Sequence, residues 1–197
     1  MSNDPLSIAI AEDEPLLLQD MAEMLQSLGH RVVGTAKDGQ ELIEICERHP
    51  PDLVITDIKM PNLDGLEAAT ALREQRAVPI IIVSAHHDRE LIDRALENHV
   101  LAYLVKPVKE ADMVTAIALV QRRFKEFEAL RQQADDLRQA LEDRKLVERA
   151  KGILMKRANL DEQQAFARLH KLSRDRNQKM VEVARMILTA EEAFKPT

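Results

Sequence analysis

Five short apolar runs, separated by amphipathic stretches of helical spacing, constrain this chain more than any other feature of its sequence. The runs are Ser7–Ala11, Arg31–Ala36, 52–57, 79–84 and 101–105. Between them, residues 15–28 carry Leu17, Met21, Met24, Leu25 and Leu28 at helical spacing, with Gly29 as a stop. Further helices are expected over Gly39–Arg48, closed by Pro50-Pro51, over 65–74 and over 89–98. The run Ile80-Ile81-Ile82-Val83 suits a strand covered on both faces. Strands alternating with helices imply a parallel sheet sandwiched between helices, the α/β class. In such sheets ligands bind at the carboxyl ends of the strands.

Polar chemistry falls at those ends. Glu12 and Asp13 follow the first run, Asp57 closes the third, Ser84 closes the fourth and Lys106 follows the fifth. Three clustered carboxylates oppose one another's ionisation. A hard divalent cation such as Mg²⁺ relieves that cost. It would also neutralise a phosphoryl group arriving at Asp57, the expected nucleophile. Lys106 offers a point charge and Ser84 a hydroxyl to the phosphate oxygens. Taken singly, these residues would read as a strand cap, a solvated charge and a loop. The lone Cys46 lies in the apolar pattern of Leu42, Ile43 and Ile45 and reads as a buried thiol. Adjacent His86 and His87 read as loop residues facing solvent.

Residues 5–120 resemble a response-regulator receiver domain. The matching text is Ala11-Glu12-Asp13-Glu14, Val54 to Pro61 around Asp57, Asp64-Gly65, Val83-Ser84-Ala85 and Tyr103-Leu104-Val105-Lys106-Pro107. The resemblance implies a flavodoxin-like (βα)5 fold and a histidine kinase as phosphodonor to Asp57. It implies Mg²⁺ held by Asp13, Asp57 and the backbone carbonyl of Lys59, with Glu12 assisting. It also implies a switch in which Ser84 moves toward the phosphate and Tyr103 turns inward, and a cis bond at Lys106-Pro107. Glu12 stands where Asp is commoner in the family. Such a domain is a phosphoacceptor with slow self-dephosphorylation rather than an enzyme. Haloacid-dehalogenase-like phosphatases also use a strand-end Asp, but want a second Asp two residues later, where this chain has Lys59.

From Glu110 the pattern becomes purely helical. Met113, Ile117, Val120, Phe124, Phe127, Leu130, Ala134, Leu137 and Leu141 step by 4, 3, 4, 3, 3, 4, 3 and 4, nearly a heptad seam. A helical linker over 110–143 is expected, packing in cis or pairing with a second chain, with a homodimer on activation the favoured reading.

Charge divides the chain. Residues 1–121 hold 10 Lys and Arg against 21 Asp and Glu, whereas residues 122–197 hold 18 against 13. Such asymmetry fits an acidic regulatory half and a half that meets a polyanion, or simply a solvated helix surface. Lys145, Arg149, Gly152 and Lys156 share one helix face, and a mid-helix glycine lets a partner approach the backbone closely. Leu146, Val147, Ala150, Ile153 and Leu154 form the apolar side. A stop is expected near Ala158-Asn159. A capping box at Asp161 and Gln164 should start a second helix reaching Leu172, with a polar junction over 173–177 and a third helix over 180–190.

Residues 138–192 resemble an ANTAR domain, the RNA-binding module of certain bacterial transcription antiterminators. The resemblance is carried by Ala150-Lys151-Gly152-Ile153-Leu154-Met155, Ala165-Phe166 with Leu169, Ser173 with Asn177, and Val183-Ala184. It implies RNA stem-loops as partners. The expected contacts are Lys145, Arg149, Lys151, Gly152, Lys156 and Arg157, then Arg174, Arg176 and Lys179. Ala165, Phe166, Leu169, Val183 and Ala184 are expected in the core. A DNA-binding regulator and a protein-interaction output are the alternatives; the first would want a helix-turn-helix, for which the tail lacks a clear glycine turn. With no basic start, no long apolar run and no cysteine pair, a cytoplasmic protein without membrane contact is expected.

Overall fold

The computed structural model describes residues 4–85 and 100–193. The helix expected over 89–98 and the pair His86-His87 lie outside the described residues. Five strands, β1 (Ser7–Ala11), β2 (Arg31–Ala36), β3 (Leu53–Asp57), β4 (Ile80–Ser84) and β5 (Ala102–Val105), form one sheet in the order β2-β1-β3-β4-β5. Every pairing is parallel. This is the flavodoxin-like order, whose switch point lies between β1 and β3.

Helices α1 (Pro15–Ser27), α2 (Gly39–Arg48) and α3 (Gly65–Gln75) connect the strands, and α4 (Glu110–Ala158) follows β5. The period-two alternation of strand side chains divides the core in two. Ala9, Ala11, Val54 and Ile82 face α2 and α3, against Leu42, Leu66 and Leu72. Ile8, Ile10, Ile55, Ile81 and Val83 face α1 and the start of α4, against Met21, Leu25, Met113, Ile117 and Val120. β3 and β4 are buried along their whole length, so each of their large aliphatic side chains contributes roughly 1.5–3 kcal/mol.

Caps fix where the helices begin. Asp38 accepts from the Glu41 amide and from Asn62 Nδ2, both at 2.8 Å, tying the loop after β3 to α2. Asn62 takes the left-handed conformation, with φ 61°. Asp64 and Glu67 close a reciprocal capping box on α3.

The described chain forms two compact units, residues 1–127 and 128–197. In the second, the C-terminal part of α4 is joined by α5 (Glu162–Arg176) and α6 (Met180–Ala193). Ala150, Leu169, Val183, Ala184 and Leu188 form its core, with Leu146, Val147, Ile153 and Leu154 against them. Asn159, with φ 50°, ends α4 where a stop is expected, and the Asp161–Gln164 capping box starts α5.

Two expectations are corrected here. The expected polar junction is helical as far as Arg176, because left-handed Asn177 supplies the stop and its amide and that of Gln178 bond back to Arg174 and Ser173 carbonyls. Phe166 is not core: it is 49% exposed, since Ala165 and Leu169 occupy the inward face and Phe166 lies about 100° further round. The long seam also divides. Met113, Ile117 and Val120 are buried, whereas Phe127, Leu130, Leu137 and Leu141 are between 49% and 67% exposed.

Candidate phosphoacceptor site and basic helical face

The first site is built where strands end. Asp57 is the last residue of β3, and its Oδ1 accepts from the amides of Ile58 and Lys59 at 2.5 and 3.3 Å. Those bonds fix the carboxylate and leave Oδ2 facing Lys106, whose Nζ donates to it at 2.6 Å. The same ammonium lies 2.6 Å from Glu12 Oε2. That tight ion pair is how the carboxylate of fully buried Glu12 is met among the described residues. Glu12 itself is held because its amide continues the β1–β2 ladder, donating to Ala36 O at 3.0 Å.

Ser84 closes β4 and is buried, and its carbonyl accepts from the Lys106 amide at 3.0 Å. The Lys106-Pro107 bond is cis. Tyr103 on β5 is half-buried against the cluster facing α2 and α3. A cavity of about 690 Å³ opens beside Asp13, Asp57, Lys59 and Lys106.

Electrostatics follow from this packing. Burial pushes the Glu12 carboxyl above its ordinary range, with the Lys106 ammonium pulling the other way. Burial alone would lower Lys106, but its bonds to Asp57 and Glu12 outweigh that and hold it above its ordinary value. Oxygens of Glu12, Asp13 and Asp57 lie within 4.8 Å of one another. Three carboxylates gathered this closely, with a single ammonium shared between Glu12 and Asp57, fit the oxygen-only preference of a hard divalent cation.

One residue of this site carries a role that the sequence reading did not assign. A Cβ on Gly65 would lie 1.9 Å from the Asp57 carbonyl oxygen. The Gly65 amide bonds to Ile58 O at 2.9 Å, so α3 begins directly against the end of β3. Asp64-Gly65 was visible as a motif, but this close approach of two backbones was not.

The basic residues of the second unit divide into free and engaged. Arg149, Gly152 and Lys156 are exposed, and neither cation has an ion-pair partner among the described residues. A methyl group on Gly152 would meet nothing within 4 Å. Lys145 is exposed and pairs with Glu142 at 2.7 Å, a solvated contact of small worth. Lys151 is buried, its Nζ 2.6 Å from Glu148 and 2.8 Å from Glu162. Those two carboxylates hold Lys151 above, and Lys151 holds Glu162 below, the ordinary range. Arg157 binds Glu191 through two hydrogen bonds of 3.0 Å. Arg174 and Lys179 are exposed, and Arg176 Nη1 lies 3.4 Å from Met186 Sδ.

Both units resemble known proteins. The family model described as the response regulator receiver domain matches residues 8–118, and that of the ANTAR domain matches residues 135–188. The transcriptional regulatory protein PdtaR of Mycobacterium tuberculosis is 44% identical over 184 residues, 93% of this chain and 90% of the relative. A response regulator receiver domain protein from Clostridium thermocellum superposes with a TM-score of 0.57 at 30% identity, over 61% of this chain and 98% of that one. A DNA-binding response regulator of the LuxR family from Staphylococcus aureus does so with a TM-score of 0.57 at 29% identity, over 59% and 98%.

Proposed function

Because the chain belongs to the response regulators that join a receiver domain to an ANTAR domain, we propose that it is a phosphorylation-controlled RNA-binding protein acting in transcription antitermination. The observation that carries this reading is the strand-end carboxylate Asp57, fixed by two backbone amides and shared with Lys106 beside Glu12 and Asp13.

In this reading a histidine kinase presents a phosphohistidine. An Asp57 carboxylate oxygen attacks the phosphorus, a P–O bond forms, the P–N bond breaks, and the imidazole nitrogen keeps the bonding pair and takes a proton. Asp13, Asp57 and the Lys59 backbone carbonyl would hold Mg²⁺ with Glu12 assisting, and the ion would supply charge neutralisation for the transferring group. Lys106 turns from the carboxylates to a phosphate oxygen. The Ser84 hydroxyl donates to another, and Tyr103 follows it inward. Regulators of this construction are generally non-enzymatic, and slow loss of the acyl phosphate resets the switch.

For the output, the free cations Arg149 and Lys156 flank exposed Gly152, a face suited to phosphate contacts and close backbone approach. Lys145 is available at the cost of a weak surface pair. Lys151 and Arg157 contribute only if their carboxylate partners release them. The exposed stripe of Phe127, Leu130, Leu137 and Leu141 supports a second copy of the chain as partner on activation. A cytoplasmic location belongs to this reading, and no described helix is long and apolar enough to cross a membrane.

The test is RNA capture from cells, comparing wild type with Asp57→Ala. Wild type should recover hairpin transcripts that the variant does not. Equal recovery would remove phosphorylation control, and recovery of duplex DNA or protein alone would replace the RNA output.

A further inference from the structure

We propose that Phe166 is a stacking platform for an unpaired base of the bound RNA, an inference that rests on the RNA-binding reading and extends it from charge to base. Phe166 is the only Phe, Tyr or Trp among the described residues of the unit 128–197, and it lies outside a core made wholly of aliphatic side chains. It stands 49% exposed although the core residues Ala165 and Leu169 are its close neighbours on α5.

A scattered exposed apolar residue is ordinary. What singles out Phe166 is its company. Gln163, Phe166, His170 and Arg174 step by 3, 4 and 4 along α5, and all four are exposed. This face puts Gln163 and His170 one turn to either side of the ring and Arg174 two turns beyond it, an amide, an imidazole and a guanidinium that offer stacking and hydrogen bonds to splayed bases.

The face is also fixed in place. Glu162, one turn before Phe166, is held at 2.8 Å by Lys151, which belongs to the same turn of α4 as Arg149 and Gly152. Residues 144–185 hold 12 Lys and Arg against 5 Asp and Glu, so the surroundings attract a polyanion. Charge would then bring the backbone in, and the ring would take a loop base that pairing leaves free.

The test uses the full chain, with Mg²⁺ and with or without acetyl phosphate, and a hairpin RNA selected by wild type from a pool with randomised loops. Phe166→Ala and Phe166→Leu should each weaken binding about 5- to 150-fold, while Phe166→Tyr stays within about twofold. The salt dependence should be unchanged in these variants, but shallower by about one unit of slope for each cation removed at Arg149 or Lys156. Replacing the stacked loop nucleotide by an abasic one should make wild type and Phe166→Leu bind alike. If Phe166→Leu binds like wild type while Arg149→Glu and Lys156→Glu fail, stacking is overturned and the RNA reading stands. If wild type selects no hairpin in either condition, both are overturned.

Discussion

The ammonium of Lys106 lies 2.6 Å from oxygens of both Glu12 and Asp57, and one cation cannot satisfy three carboxylates. The group keeps a formal charge of −2, which a divalent cation cancels. Mg²⁺ should therefore raise the melting temperature, by an amount equivalent to about 2.7 kcal/mol at one hundred times its dissociation constant, and EDTA should reverse the gain. Lys106→Ala should melt lower without metal and gain more from it than wild type; an equal gain in both would show that the lysine and the metal do not share the carboxylates. Gly65 poses a steric problem in the same place. With a Cβ 1.9 Å from the Asp57 carbonyl, Gly65→Ala should cost about 1–3 kcal/mol in urea titrations and slow phosphorylation by acetyl phosphate. The site carboxylates were legible in the sequence because each follows an apolar run. The Gly65 contact was not, since close approach of two backbones leaves no trace in residue type beyond the glycine itself.

Elements were legible to the degree that their signals are local. β1 and β2 fall where apolar runs place them, and Asp161 starts α5 through a cap three residues long. Pairings across distance were not legible: Lys151 and Arg157 meet Glu162 and Glu191, 11 and 34 residues away, so two cations of the expected RNA face are engaged. Phe166 misled because helical phase, not hydrophobicity, decides which side of α5 faces the core. Gly152 invites a direct test. No neighbour constrains it, so Gly152→Ala should stabilise the protein by up to about 1 kcal/mol in thermal melts while weakening RNA binding. A gain in both would leave the glycine without a reason. On the same helix, Leu130→Glu with Leu137→Glu should hold the phosphorylated protein monomeric in sedimentation without lowering phosphorylation of Asp57; a persistent dimer would place the interface elsewhere.

At the scale of the whole molecule, a net charge of −6 conceals two unlike halves, negative over residues 1–121 and positive over 122–197. RNA affinity should therefore fall steeply with salt in spite of the acidic pI, and deleting residues 1–121 should raise affinity without flattening the slope, as measured by filter binding across a salt series. A flat slope would point to an output that does not meet phosphates. The helix α4 gives this division its physical form. It lends Met113, Ile117 and Val120 to one hydrophobic core and Ala150 to the other, as one unbroken element of 49 residues. The two modules thus share an element and not a linker. Neither module can be excised at a loop, and an engineer who wishes to exchange the output must splice helix to helix or leave one core without its wall.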